Sequence, residues 1–193
     1  MTGKTYRDRP YNRLLGRLRL LATFALVIGL LALARPTPLS VLLGSVIVAL
    51  GEGVRLWAAG HLLKTTELVT GGPYRYTRNP LYLGRLLIFT GLGVAATLPW
   101  GANWLMLVVG WGIFFGYYLR RKERVEPERL RRFHGEAYER YFQAVPALFP
   151  AFRPYAEGAN AKWSAERMLR NREQWMVVAL LVVALFLLWR SLA

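Results

Sequence analysis

Long uncharged apolar runs, separated by short connections rich in turn residues or basic side chains, set the pattern of this chain. A bilayer-crossing helix takes about 20 apolar residues. Residues 20–34 are apolar but short for that purpose; borrowing the turn at 14–19, with its arginines snorkelling, lengthens the run. Residues 39–59, 81–98 and 102–119 predict three further spans, and 175–189 a short final one. Arg35-Pro36-Thr37-Pro38 ends the first, and Pro99-Trp100-Gly101 is a tight turn that makes the third and fourth an antiparallel hairpin. The segments between are patterned as surface elements. Residues 1–19 mix Lys4, Arg7, Arg9, Arg13, Arg17 and Arg19 with leucines, as an interface-lying helix does. Residues 120–140 are charged with a helical period, 145–154 are apolar and proline-punctuated like a segment skimming the membrane, and 160–173 are basic and amphipathic.

The expected fold is therefore an all-α integral membrane protein of about five transmembrane helices, with cytoplasmic amphipathic helices beside them. It divides into a basic N-terminal segment (1–19), a four-span core with its cytoplasmic segments (20–155), and an amphipathic connection with the fifth span (156–193). Composition agrees: hydrophobic residues make up 54% of 193 and the mean hydropathy is positive. A formal charge of +15 suits nucleic acid or anionic lipid headgroups, and the apolar runs favour the lipid. Without cysteine there is no disulfide, thiolate ligand or cysteine nucleophile, and two histidines, His61 and His134, make a histidine-rich metal centre improbable. No cleavable signal is expected. Lys and Arg, apart from Arg35, Arg55 and Arg190, fall in regions that five spans place on one side, so the N-terminus is expected inside and the C-terminus outside. A prokaryotic inner membrane is the expected setting.

Chemistry gathers in two places. LVTGGPYRYTRNPLYLG, residues 68–84, is the densest run of turn residues and polar aromatics. Gly71-Gly72-Pro73 breaks a helix, and Asn79-Pro80 reads as an N-cap followed by proline at the first helical position. Its tyrosines, arginines and Asn79 suit a heteroaromatic ligand with a carboxylate or phosphate; they suit an interfacial aromatic belt equally. KERVEPERLRRFHGEAYERY, residues 122–141, puts Lys122 and Glu126 on one helical face, with Pro127 as an expected kink. Glu126 at that break is a surface charge or a functional carboxylate, and Phe133, Tyr138 and Tyr141 anchor the segment on the membrane surface. Within the second span Glu52 and Arg55 form an internal ion pair or line a polar cavity. No glycine-rich dinucleotide fingerprint is present.

GPYRYTRNPLYLG, followed some forty residues later by Glu126, Leu130, Gly135, Tyr138 and Tyr141 at the spacing E-(x)3-L-(x)4-G-(x)2-Y-(x)2-Y, resembles the isoprenylcysteine carboxyl methyltransferase and phospholipid methyltransferase superfamily. Residues 55–58 and 68–70 resemble it too, and the match covers roughly 50–147. The resemblance implies a membrane enzyme that binds S-adenosylmethionine at the cytoplasmic face and releases S-adenosylhomocysteine. It implies cofactor contacts from Thr66, Glu67, Leu68, Val69, Tyr74, Asn79, Pro80, Leu81, Tyr82 and Glu126, with Glu126 and Lys122 as catalytic residues. Arg55 and Arg85 are the candidate substrate-binding cations. The expected acceptor is a lipophilic molecule or lipid dissolved in the bilayer, and neither metal nor nucleic acid is implied. The frequent Arg-His-Pro of the family is Arg78-Asn79-Pro80 here, which keeps a hydrogen-bonding side chain but removes a titrating base. Lys122 stands where the family has an arginine, and the paired glutamates are reduced to Val125-Glu126. The alternatives are a sterol-type membrane reductase using NADPH, and a non-enzymatic lipid-binding protein.

Overall fold

The computed structural model of the chain describes residues 21, 27–62, 68–158 and 162–193. The predicted interface helix at 1–19, part of the first span, and Thr66 and Glu67 lie outside the described residues. Every regular element among the described residues is helical. Helix α1 (Pro38–His61) starts at a capping box, in which the Thr37 hydroxyl accepts from Ser40 N–H at 3.1 Å and the Ser40 hydroxyl accepts from Thr37 N–H at 3.0 Å. Helix α2 spans Pro80–Ala96, and α3 spans Ala102–Ile113. A π-helical turn, Phe114–Leu119, carries α3 without interruption into α4 (Arg120–Ala144). A short α5 (Ala165–Arg170) and α6 (Glu173–Leu192) complete the chain.

Three of the described helical stretches are long and apolar enough to cross a membrane: Pro38–His61, Pro99–Ala144 and Glu173–Leu192. Pro80–Ala96, the predicted third span, is apolar but shorter. It packs tightly against α1 because glycines meet there. A Cβ on Gly44 would sit 2.4 Å from the Gly91 carbonyl oxygen, and one on Gly51 would sit 2.8 Å from that of Gly84. The glycine pairs recur seven residues apart on each antiparallel helix, so two turns of backbone lie in direct contact. The α2–α3 turn is locked by buried Asn103, which donates to Gly93 O at 3.2 Å and accepts from Leu98 N–H at 3.3 Å.

Two expectations are corrected. The fourth span runs on without interruption into the charged segment as far as His134, and Pro127 does not break it. A proline removes the bond to the carbonyl four residues back, here that of Glu123, and crowds that carbonyl, and the helix carries this local loss. The break comes at Gly135, whose φ of 53° and ψ of −127° belong to glycine.

The helix ends sort into two groups. At one end Arg35 N–H donates to Thr97 O at 2.8 Å and Arg190 Nε donates to Ala34 O at 2.6 Å. At the other, the α1–α2 connection, α4, residues 145–158 and α5 come together. There Trp163 donates to Leu56 O at 3.1 Å and Asn171 to Ala59 O at 2.9 Å, tying α5 to the last turns of α1. Both chemistry-bearing stretches thus share one end of the bundle.

Candidate active site

The 70–79 loop is built by its glycines and then stitched down. Gly72 opens a 3-10 turn (Gly72–Arg75) at φ +55°, and a Cβ there would lie 2.6 Å from the His61 ring. Backbone conformation and space both require glycine. The chain then runs beside residues 145–155, bonded in ladder fashion though not as a regular strand. Arg78 N–H donates to Pro146 O at 2.9 Å, Ala151 N–H to Tyr76 O at 2.8 Å, and Tyr155 N–H to Arg75 O at 2.9 Å. The proline-punctuated stretch, expected merely to skim the membrane, is therefore also the back wall of the loop, with Phe149 and Phe152 left exposed.

Asn79 takes the N-cap position of α2, but its side chain makes no capping bond. It is buried, and Nδ2 donates to Glu123 Oε1 at 2.7 Å and to Ala147 O at 2.8 Å. Arg78 donates to the other oxygen of Glu123 and to Phe142 O at 2.6 Å, its guanidinium 3.7 Å above the Phe142 ring. Glu123 thus clamps α4 to the loop through two adjacent residues. The sequence reading missed Glu123, because the family resemblance drew attention to Glu126 three positions on. Glu126 is half exposed and ion-paired with Lys122 one turn earlier.

Tyr138 and Tyr141 correct a further expectation. Both are buried instead of lying on a membrane surface, and Tyr141 donates its hydroxyl proton to Tyr74 O at 2.8 Å. They pack with Val145 in a cluster that Leu68, Leu130, Phe142 and Tyr155 border. Phe133 alone of that trio is exposed.

Loop, α2 and α4 enclose a cavity of about 300 Å³, at the low end of small-molecule sites. Of the predicted contact residues, Leu68, Val69, Tyr74, Asn79, Pro80, Leu81, Tyr82, Lys122 and Glu126 line it, as does Arg85. Glu123, Arg129, Leu130 and His134 line it as well. Lys122, Glu126, Leu130 and His134 recur every fourth residue, and that spacing was the signal available for finding His134. Burial, with the nearby carboxylates of Glu126 and Glu173 adding to it, pushes the Tyr74 phenol well above its ordinary range, so it stays protonated. Arg55 does not line the cavity. It is buried beneath, 2.5 Å from Glu173 and 3.5 Å from Glu52.

A second, more apolar cleft of about 440 Å³ opens between α2 and α3, lined by Leu86, Phe89, Gly110, Ile113, Phe114 and Tyr118. Tyr82 and Arg85 line both spaces. Two cations approach the Tyr82 ring, Arg85 at 5.4 Å and Lys122 at 5.1 Å from its centroid.

Parts of the chain are similar to known proteins. Residues 39–124 match the phospholipid methyltransferase family, within the superfamily that the two motifs resemble. The chain is 31% identical over 121 residues to the cobalt-zinc-cadmium resistance protein CzcN of Cupriavidus metallidurans, covering 62% of this chain and 53% of that protein. It is 29% identical over 99 residues to the nickel-cobalt-cadmium resistance protein NccN of Alcaligenes xylosoxydans xylosoxydans, covering 50% of this chain and 43% of that one. The chain spans about half the length of these curated relatives. No solved structure matches it.

Proposed function

We propose, from the match of residues 39–124 to the phospholipid methyltransferase family, that this protein is a membrane methyltransferase. It moves the methyl of S-adenosylmethionine to an amphiphilic acceptor dissolved in the bilayer. The observation that carries the reading is the pair of spaces meeting at Tyr82 and Arg85, one charged and one apolar. A water-soluble cofactor and a lipophilic acceptor need such a junction, because each must reach the other from its own phase.

The lining residues fit the cofactor's chemistry. Aromatic faces at Tyr82 and Phe133 suit an adenine ring and a sulfonium charge. Arg129 offers a cation to the amino-acid carboxylate, and Glu126 a carboxylate to the ribose hydroxyls or the ammonium. S-adenosylmethionine supplies an electrophilic methyl group, and the protein's part is to position the nucleophile and exclude water. The Glu123 clamp fixes the loop, Tyr82 and Lys122 border the meeting point, and Arg85 holds the acceptor's headgroup at the mouth of the apolar cleft. In this reading the site faces the cytoplasm, with the N-terminus inside, the C-terminus outside, and the acceptor entering sideways between α2 and α3. The names of the relatives speak of metal resistance, but among the described residues no group of three or more His, Asp or Glu gathers as a metal site would.

Calorimetric titration of S-adenosylhomocysteine into the protein in lipid nanodiscs tests it. Saturable binding, weakened at least about tenfold in Glu126→Gln, is the expected result. No binding, or displacement by NADPH, would assign the site to another class of chemistry.

A further inference from the structure

The wall behind the 70–79 loop has two sides. Toward the loop it buries Val145 and Leu148 and holds residues 75–79 by hydrogen bonds. Besides the backbone ladder, Ala147 O accepts from Thr77 Oγ1 at 3.3 Å and from Asn79 Nδ2 at 2.8 Å, and Tyr155 O accepts from Arg75 Nε at 3.0 Å. On the other side Phe149 and Phe152 stand exposed, Phe152 fully, with Pro150, Arg153 and Pro154 exposed among them. A cluster of exposed aromatic rings on a wall that is otherwise tied down marks a surface with an apolar partner.

The neighbouring elements identify that partner. Phe149 stacks on Phe115, ring centroids 6.3 Å apart and planes 25° from parallel, and Phe115 belongs to the π-helical turn within the membrane-crossing stretch Pro99–Ala144. Ala151 N–H bonds Tyr76 O, and the Tyr76 ring lies 6.2 Å from that of Trp57, an exposed residue near the end of the membrane-crossing α1. The wall is thus level with one end of two crossing helices, where exposed aromatic side chains sit in the headgroup layer. Arg120, directly after the π-helical turn, and Arg153 are exposed cations at the same level, suited to anionic headgroups. A soluble protein would have to displace lipid from Phe115 to cover Phe149, whereas the bilayer covers both at once.

We propose that Phe149 and Phe152 seat in the headgroup layer of an anionic bilayer, and that this contact holds the 70–79 loop in the shape that completes the cavity. Residues 145–155 form no regular element of their own, so their course is set by what lies on either side. With lipid on one side, Ala147 and Ala151 are kept where Asn79, Thr77 and Tyr76 meet them. Without it, two exposed rings are free to fold back and carry those bonds with them. The lipid surface then acts as a partner of the site, separate from any acceptor in the apolar cleft. The lipid contact stands by itself; its effect on cofactor binding rests on the methyltransferase reading above.

The chain has no cysteine, so Phe152→Cys takes a single nitroxide label. In nanodiscs containing phosphatidylglycerol the label should be more accessible to oxygen than to a water-soluble nickel chelate. The reverse order would put the patch in water and overturn the proposal. Spin–spin broadening that vanishes on dilution with unlabelled protein would put a second copy there and overturn it equally. The coupling is read by calorimetry. Wild type should bind S-adenosylhomocysteine about fivefold more tightly in phosphatidylglycerol nanodiscs than in phosphatidylcholine ones. Phe152→Ser, which removes a fully exposed ring and so leaves the fold intact, should lose most of that difference. Equal affinities for wild type in the two lipids, or for wild type and Phe152→Ser in phosphatidylglycerol, overturn the coupling. If wild type binds no S-adenosylhomocysteine in either lipid, the methyltransferase reading falls, and the label alone decides the lipid contact.

Discussion

Arg55 in α1 donates to Glu173 at 2.5 Å, joining the first turn of α6 to a helix 118 positions earlier in the chain. Glu52 approaches the same guanidinium at 3.5 Å, and all three side chains are buried. The spacing of Glu52 and Arg55 predicts their ion pair; the decisive partner arrives from the other end of the sequence. Engaged in this way, Arg55 ties the terminal helix to α1 and does not line the cavity.

Removing the arginine strands two buried carboxylates. Arg55→Met should destabilise the protein by about 3–5 kcal/mol, whereas replacing Glu52, Arg55 and Glu173 together by Gln, Met and Gln should cost much less. Thermal unfolding in a single detergent, compared across the two variants, checks the order. A single variant as stable as the triple one would show that the pair does not hold α6.

The glycine contact between α1 and α2 makes a steric prediction. At Gly44 an added Cβ meets the Gly91 carbonyl oxygen at 2.4 Å and the Ala95 Cβ at 2.6 Å, while at Gly53 on the same helix nothing lies within 4 Å. Gly44→Val should force the helices apart at a cost of about 1–3 kcal/mol, and Gly53→Ala should be neutral or slightly stabilising through helix propensity. Because α2 carries Tyr82 and Arg85, Gly44→Val should also weaken S-adenosylhomocysteine binding. Unfolding and calorimetry on the two variants separate packing from a general intolerance of larger side chains in α1.

Glu123 is the residue on which loop and α4 agree. It receives Arg78 and Asn79 at once, so Glu123→Ala leaves a cation and an amide without their partner. The expected effect is a loss of about 1–3 kcal/mol, read as a rise of roughly tenfold or more in the Kd for S-adenosylhomocysteine. Asn79→Asp should be as damaging, since it sets a second carboxylate against Glu123. Asn79→Ala should be milder. An unchanged Kd in Glu123→Ala would mean that the clamp is dispensable to the cavity.

Much of this was legible in the chain. Apolar runs located the three described stretches long enough to cross a membrane, Gly71-Gly72-Pro73 and Asn79-Pro80 fixed the loop and the start of α2, and the stretches 68–84 and 122–141 supply most of the residues that line the cavity. What stayed hidden depended on long-range partners. Asn79 reads locally as a cap, and only the arrival of Glu123 and Ala147 shows why its amide points elsewhere. Tyr138 and Tyr141 carry the composition of an interfacial anchor, and only the position of the loop turns them inward. Pro127 predicts a kink by its missing N–H, yet the helix bends where Gly135 permits a positive φ. His134 carried no motif of its own.

The Tyr141 hydroxyl offers the sharpest test of how the loop is held. Its bond to Tyr74 O is 2.8 Å long and buried, and Tyr74 lines the cavity. Tyr141→Phe preserves ring packing but leaves a buried carbonyl without its donor, which costs about 1–3 kcal/mol. That loss should divide between global stability and the site, lowering the unfolding temperature and raising the Kd for S-adenosylhomocysteine severalfold. Tyr138→Phe is the comparison, because its ring is equally buried while no hydrogen bond to its hydroxyl is found among the described residues. It should change neither reading appreciably. If the two variants behave alike, the inward tyrosines act through ring packing alone, and the loop is held by its ladder to residues 145–155. If only Tyr141→Phe loses affinity, one buried hydrogen bond from α4 sets the position of the cavity wall.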